Sequence, residues 1–426
     1  MPATDPAKRR PADPRQRSAP SAADFRTRAA DGVTCPTGTA RRSSRACTTA
    51  FCGNTTSSSG ATTRRWRRPT VSRSSAKPQP PCSGFVRPAV WVLASCLALP
   101  AGGQVSDTTV SQGQAAEELT PAARRAIGKG LDWLAAGQAP DGSYGSDSHY
   151  GRHVGITGLV GMAFISGGHT PGRGPYGAVV SRCIDFVLAN RSESGLLAAE
   201  TSHGPMYGHG FATLFLAEVY GMSRHPELEE ALRRAVRLIV LTQNDQGGWR
   251  YQPVRFDADI SVTVCQVMAV RAARNAGLYV PKDTIDKAIA YVRESQNADG
   301  GFRYMLTTGA SAFARSAAGV AALQYAGVYH GQEIARGLKY LQQFTPGHGN
   351  RENLSHYSYG HYYAAQAMFT AGGEAWANWW PAIRDELVAN QSDDGSWRGE
   401  AGGHYSTAMA LIILQMPNRL LPIFQR

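Results

Sequence analysis

The sequence predicts an all-α fold, an α/α toroid in which six helix pairs form an inner and an outer ring. Three observations predict it. A short turn motif recurs at multiples of about fifty residues, which is typical of repeat architectures. Helices with one apolar face alternate with helices that are apolar on all sides, and most of the latter end at glycine.

The turn motif has the form Gln, three residues, Gly, one residue, aromatic. Four clear copies occur, at Gln138–Tyr144, Gln243–Trp249, Gln296–Phe302 and Gln391–Trp397. Their first residues are 105, 53 and 95 positions apart, which is two, one and two units. Degenerate copies near Asn190–Leu196 and Gln342–Phe344 fill the gaps. The chain is therefore predicted to contain six units, each burying its apolar face against its neighbours.

Each unit is predicted to contain two helices joined by the motif turn. The first is amphipathic, as in Glu227–Gln243, and the second is apolar all round and therefore buried, as in Val154–Ile165. The motif Gly supplies a positive φ, and the Gln can hydrogen-bond backbone groups left free at a helix end. The toroid is predicted over residues 117–415, between a linker at 104–116 and a C-terminal tail at 416–426.

Charge divides the chain into two parts. Residues 1–103 hold 17 Lys or Arg and 4 Asp or Glu, a net +13, which leaves 27 basic and 28 acidic residues elsewhere, a net −1. The folded part therefore shows no basic excess, and no nucleic acid is expected as its partner. Residues 1–84 are rich in Arg, Ser, Thr and Pro and are predicted to be a disordered basic leader. The alternative is that they are not translated in the cell.

A secretory signal peptide is predicted over residues 85–103. Arg87 precedes an apolar run, Ala89–Pro100, and small residues follow. That run is too short to span a bilayer, so no transmembrane segment is expected in the mature chain. The expected location is extracytoplasmic, either periplasmic or secreted from a bacterium, with the true start codon near Val86. The residues before Cys96 also resemble a lipobox, which would anchor the protein through a lipid on that cysteine.

Polar residues are predicted to share one rim of the ring, because every inner helix starts just after a motif turn. The six equivalent positions hold four His, one Asp and one Ser, namely His153, His209, Asp259, Ser311, His361 and His404. Several tyrosines lie near the same rim: Tyr207, Tyr251, Tyr304, Tyr359 and Tyr405. Apolar walls below a polar, aromatic rim suit an amphipathic ligand. We therefore predict a ligand-binding rim.

The four turns resemble the QW motifs of the terpene cyclase and protein prenyltransferase superfamily, which includes the squalene–hopene cyclases. The resemblance covers roughly residues 117–415. It implies a toroid with an apolar central cavity open at one end, an apolar or isoprenoid-like ligand, and cyclase-like activity. These turns are scaffold motifs, so they do not by themselves determine a reaction.

The sequence around Asp257 partly resembles the DxDD motif of class II terpene cyclases, whose middle Asp protonates an alkene. Asp257 and Asp259 match the first and middle positions, and Ile260 replaces the last Asp. By this resemblance, Asp257 and Asp259 are candidate catalytic residues. The alternative is that Asp259 only caps the helix that follows.

Protein prenyltransferases suggest a second set of candidates, because they hold zinc with an Asp, a Cys two residues later and a His. Asp259 fits the first ligand, Ser261 replaces the Cys, and His361 or His404 could supply the imidazole. A Ser hydroxyl is a poor zinc ligand. No metal and no other cofactor is therefore expected.

Two other functions stay open. One is a non-catalytic scaffold or protein-binding toroid, whose centre is filled by its own side chains and whose partner the sequence does not identify. The other is an α/α-barrel glycosidase or polysaccharide lyase, which needs paired carboxylates across a cleft. Glu218 and Asp259 are among the few acids on the inner helices. The expected partner is an apolar small molecule or a lipid.

Overall fold

The structure is a computed structural model that describes residues 118–199, 204–347 and 354–425. The chain divides into two units, Met1–Leu99 and Pro100–Arg426, and only the second contains described residues. The predicted leader, signal peptide and linker all lie outside the described residues, which begin at residue 118.

Twelve α-helices in the described part alternate between an outer and an inner ring, which confirms the predicted all-α toroid. The outer helices are α1 (Pro121–Ala136), α3 (Gly177–Ala189), α5 (Leu228–Thr242), α7 (Lys282–Glu294), α9 (Gln332–Gln342) and α11 (Gly373–Ala389). The inner helices are α2 (Val154–Ser166), α4 (Met206–Val219), α6 (Ile260–Asn275), α8 (Phe313–Tyr325), α10 (Tyr357–Ala371) and α12 (Gly403–Leu414). Two 3₁₀ turns follow, Met416–Asn418 and Pro422–Phe424.

The inner helices close into a ring. Each packs against the inner helix of the next unit, and α12 packs back against α2. In the outer ring α1 contacts both α11 and α12, so the first unit is joined to the last. Every residue of α2 is buried, as expected for a helix that is apolar on all sides.

The Gln of the turn motif ties each turn to the next outer helix. In all four clear copies, its Nε2 donates to the carbonyl of the motif Gly and to a carbonyl of the next outer helix. The motif Gly has a φ between +86° and +97°, and a Cβ there would lie 2.2 to 2.6 Å from a carbonyl oxygen of that helix. Glycine is therefore required both by its backbone conformation and by the close approach.

The last motif turn closes the circle. Nε2 of Gln391 donates to the carbonyl oxygen of Ala126 on α1 at 2.8 Å. Trp397 completes this turn, since its Nε1 donates to the Leu387 carbonyl at 2.8 Å and its backbone N–H donates to Thr407 Oγ1 at 2.9 Å. The sixth unit is therefore bonded to the first by the same device that joins the other units.

Two inner helices begin earlier than the sequence pattern predicts. Helices α4 and α10 start at Met206 and Tyr357, whereas the pattern predicts starts at His209 and His361. The additional turns contain glycines, which the pattern assigns to the preceding turn. Close helix packing explains them, because a Cβ on Gly360 would lie 2.4 Å from the ring of Phe313 on α8.

Candidate functional site

Asp259 is the N-cap of α6, and its two carboxylate oxygens have different surroundings. Oδ1 accepts hydrogen bonds from the backbone N–H groups of Ser261 and Val262, both at 2.9 Å, and from Ser261 Oγ at 2.6 Å. Oδ2 is buried and makes no hydrogen bond of normal geometry within the described residues. A proton on this carboxyl would therefore sit on Oδ2, because Oδ1 already accepts three hydrogen bonds.

Burial raises the pKa of Asp259, and its hydrogen bonds and the nearby Arg250 and Tyr304 only partly offset this effect. The side chain is fully buried, whereas Asp257 has 31% of its side chain exposed. The two candidate acids therefore differ in environment. Asp259 is the one that is completely shielded from solvent.

Arg250 connects the two candidate acids. Its Nη1 pairs with Asp257 Oδ2, and its Nε lies 3.5 Å from Asp259 Oδ2. The hydrogen bond to Asp257 raises the pKa of Arg250, so the guanidinium stays charged. It also lies over the rings of Tyr251 and Tyr304, 5.1 and 5.9 Å from their centroids. Arg250 is not among the predicted site residues, because its only sequence signal is its position directly after the motif Trp249.

The predicted rim tyrosines surround this site. The Tyr207 hydroxyl is 2.5 Å from Ser261 Oγ, and the Tyr359 hydroxyl donates to the Ser261 carbonyl at 2.8 Å. The hydroxyls of Tyr251 and Tyr304 hydrogen-bond to each other. Burial raises the pKa of Tyr207 and of Tyr359 well above the usual range, so both stay protonated.

Below the site, side chains meet across the ring axis. The Tyr363 hydroxyl on α10 lies 3.4 Å from Cys265 Sγ on α6, and the Tyr362 hydroxyl donates to Met268 Sδ at 3.7 Å. The rings of Phe211 and Tyr362 have centroids 6.2 Å apart, although α4 and α10 stand on opposite sides of the inner ring. The open central cavity implied by the family resemblance is therefore absent at these levels, because aromatic side chains fill it.

The rim histidines His153 and His209 accept hydrogen bonds from backbone N–H groups, as His404 does from Gly145 at 3.3 Å. His153 caps α2, and its Nδ1 accepts from Gly155 and Ile156 at 3.2 and 3.3 Å. His209 lies inside α4, and its Nδ1 accepts from the N–H of Leu197 at 3.1 Å. Leu197 stands where the clear motif copies have their aromatic residue. In those four copies the N–H of the aromatic residue donates to a Ser or Thr hydroxyl instead of a histidine. Burial lowers the pKa of both histidines to about 4, so both are neutral.

The other two rim histidines face outer helices. The ring of His361 packs against Trp379 on α11, with centroids 5.7 Å apart. Nδ1 of His404 lies 2.8 Å from Asp147 Oδ1, which joins the sixth unit to the first. The weak metal candidates Asp259, His361 and His404 thus have separate neighbours. Within the described residues, no three or more His, Cys, Asp or Glu side chains form a group that could hold a metal ion.

The acids considered for a glycosidase do not face each other. Glu218 is the last residue but one of α4, whereas Asp259 precedes the first residue of α6. The inner helices run in the same direction, so these acids lie near opposite ends of the ring, separated along it by roughly 18 Å at 1.5 Å per helical residue. Paired carboxylates across a cleft are not formed by these two residues.

Comparisons with known proteins identify the class. Residues 212–369 match the squalene-hopene cyclase C-terminal domain. The fold is similar to a protein from Actinoplanes, with 15% identity, a TM-score of 0.52, and coverage of 70% of this chain and 99% of that one. It is also similar to a variant of the type II terpene cyclase MstE from Scytonema in complex with geranylgeranyl dihydroxybenzoate, with 13% identity, coverage of 70% and 98%, and a TM-score of 0.50.

A cellobiose 2-epimerase from Spirochaeta thermophila has the same fold, with 12% identity, coverage of 72% and 98%, and a TM-score of 0.55. No curated protein sequence matches the chain. At these identities the structural likenesses show the fold alone. Together with the sequence match and the motif turns, they define the chain as a squalene cyclase-like α/α toroid, which confirms the resemblance. In its described part, no helix is long and apolar enough to cross a membrane.

Proposed function

We propose that this toroid binds an apolar, isoprenoid-like ligand at the rim that carries Asp259, and that Asp259 donates the proton of a cyclase-like isomerisation. The observation that carries the proposal is the difference between its two oxygens. Oδ1 accepts three hydrogen bonds, and Oδ2 is buried without one from any residue that the structure describes. Because burial also raises its pKa, this carboxyl is suited to hold a proton and deliver it from Oδ2.

The groups around Asp259 suit both charged species that such a proton transfer produces, a carbocation and a carboxylate. Protonation of an alkene carbon leaves a carbocation, which other aromatic rings of the rim, Tyr207 and Tyr359 among them, would stabilise through cation–π attraction. The charged Arg250, 3.5 Å from Oδ2, would stabilise the carboxylate that remains. Ring closure and loss of a proton then give a product with the same composition as the substrate.

The likeness to MstE supports the ligand class at the level of the fold, because that protein is bound to a geranylgeranyl-substituted dihydroxybenzoate. The contacts across the ring axis favour a second candidate function, a non-catalytic scaffold or protein-binding toroid. A long ligand that enters from the Asp259 rim would have to move Tyr362 and Tyr363, which are both fully buried.

The substitution Asp259→Asn separates the two functions. The purified protein is incubated with squalene and with geranylgeranyl dihydroxybenzoate, and isomers of unchanged mass are sought by mass spectrometry. We expect product from the wild type and a loss of about 100-fold or more in the Asn variant. The matched control is Asp245→Asn, since Asp245 lies on the surface with 94% of its side chain exposed. Equal product from both variants, or none from the wild type, would contradict the proposal.

Export and the absence of a metal are part of the same proposal. Export rests on residues 85–103, which lie outside the described residues. N-terminal sequencing of the natural protein should give a terminus near residue 103, or a lipidated Cys96; a mature terminus upstream of residue 80 would contradict export. Elemental analysis should find no bound zinc. About one zinc per chain that is lost in His361→Ala would overturn that expectation.

A further inference from the structure

The C-terminal strap, residues 416–425, crosses the mouth of the ring opposite the Asp259 rim. Its turn Pro422–Phe424 packs against α6 and α10. Nδ2 of Asn418 donates to the Ser166 carbonyl at the end of α2 at 3.1 Å. Nδ2 of Asn275, the last residue of α6, lies 3.4 Å from the Pro422 carbonyl oxygen. The strap is therefore bonded to the ends of α2 and α6, the two inner helices that flank α4.

The strap turns its apolar side chains into the mouth. Leu421, Ile423 and Phe424 are 1%, 3% and 6% exposed, whereas Leu420 is 47% exposed. The cation of Arg419 lies over the ring of Phe369, near the end of α10, at 4.9 Å. The strap thus fills the end of the inner ring with three apolar side chains and holds them with few polar contacts.

A carboxyl group lies beneath the strap. Glu218, near the end of α4, is 5% exposed, and the backbone N–H of Ile423 lies beside its carboxyl group. Its Oε2 has no hydrogen-bond partner within the described residues. Burial raises the pKa of Glu218 to about 8, so the group is neutral near pH 7 and can both donate and accept. A buried polar atom without a partner is costly and calls for an explanation.

We propose that the far mouth of the ring is a binding site for an apolar chain that ends in a hydroxyl, and that the strap is an internal plug that occupies this site. Ile423 and Phe424 take the place of the apolar chain, and the Ile423 N–H takes the place of the hydroxyl donor. A hydroxyl would satisfy Glu218 more fully than an amide does. It can donate a hydrogen bond to one carboxyl oxygen and accept a hydrogen bond from the O–H at Oε2.

This inference rests on the proposed function only in that the toroid binds an apolar ligand. The two sites are distinct, because the contacts of Tyr362 and Tyr363 lie between them. Occupation of the far mouth does not require proton transfer by Asp259. The two proposals can therefore fail separately.

The probes for the test are farnesol and farnesyl methyl ether, which share one apolar chain and differ in the hydroxyl donor. Calorimetric titration compares the full chain with a chain that ends at Arg419 and so retains the Asn418 contact. We expect the shortened chain to bind farnesol at least ten-fold more tightly than the full chain does, and at least ten-fold more tightly than it binds the ether. Glu218→Leu in the shortened chain should abolish the preference for farnesol. Leu420→Ala in the full chain, a change at a strap side chain that is 47% exposed, should have no effect.

A measurement on the full chain covers the case in which the shortened chain does not fold. Farnesol, but not the ether, should raise deuterium uptake at the amides of Leu421, Ile423 and Phe424 several-fold. Equal binding by both chains, or strap exchange that farnesol does not change, overturns the plug and leaves the Asp259 proposal standing. Farnesol binding that displaces the strap, without any isomer that depends on Asp259, is the opposite outcome and overturns only the proposed function.

Discussion

Two substitutions distinguish the helix-capping role of Asp259 from the role of its ionisable proton. Asn caps a helix about as well as Asp and carries no ionisable group, so Asp259→Asn should leave stability unchanged or raise it. Asp259→Ala removes the acceptor for the N–H groups of Ser261 and Val262. It should cost about 0.5–2 kcal/mol. Thermal melts of both variants beside the wild type check this, and an Asn variant as unstable as the Ala variant would contradict it.

Glu218 should make stability depend on pH. In the folded chain its pKa is raised to about 8 from an ordinary 4.5. Between these values the folded state holds a proton that the unfolded state has lost, so this contribution falls as pH rises from about 4.5 to about 8. Glu218→Gln should remove that fall and should stabilise the protein by on the order of a few kcal/mol at pH 8. Melts of both proteins at pH 5 and pH 8 measure the difference. A Gln variant that gains nothing between these pH values would contradict the burial argument.

At the scale of an element, the motif Gln is expected to hold the turn. Nε2 of Gln391 donates to the carbonyls of Ala126 and Gly395, both at 2.8 Å. Gln391→Ala leaves both acceptors without this donor and should cost about 1–3 kcal/mol in the free energy of unfolding. Gln343→Ala is the matched control, since Gln343 is exposed in the degenerate fifth turn. Its effect should stay within about 0.5 kcal/mol. Equal losses of stability in the two variants would show that the hydrogen bonds of the motif Gln do not stabilise the ring.

The helices could be predicted from the sequence because each carries a long apolar period, and the turns because four of them repeat. The starts of α4 and α10 could not be predicted in this way, because Gly208 and Gly360 have low helix propensity. Glycine is favoured at these helical positions only because neighbouring helices approach closely. His209 and His361 were consequently expected to begin their helices and to face the rim. Inside the helix they face the outer ring instead.

The acidic site was only partly predictable for a similar reason. Asp257 and Asp259 stand out in the sequence as a spaced pair. Arg250 does not, because it meets them only after the loop that follows it folds back and brings the three side chains together. The filling of the ring centre depends on the distance between opposite helices. The sequence around Tyr362 or Phe211 does not indicate how far apart opposite helices stand. The resemblance to cyclases therefore implied a central cavity, whereas these two rings occupy that space.

At the scale of the molecule, the ring should lose stability as one unit when its circle is opened. Helix α12 contacts α1, α2 and α10, and the preceding turn bonds to α1. A chain that stops before Gln391 lacks all of these contacts and exposes the apolar faces of two inner helices. We expect it to be unfolded or aggregated when examined by circular dichroism and thermal melting, because each unit buries its core only against neighbours. A stable, helical shortened protein would indicate an open solenoid instead.

The most direct test of the central claim, that this toroid binds an apolar isoprenoid-like ligand, is native mass spectrometry of the protein isolated from the cells that produce it. The account predicts one apolar molecule per chain that is released on denaturation and is soluble in organic solvent. A chain that carries no such molecule, even when isolated without detergent or extraction, would contradict the claim. That result would favour a scaffold whose centre is filled by its own tyrosines.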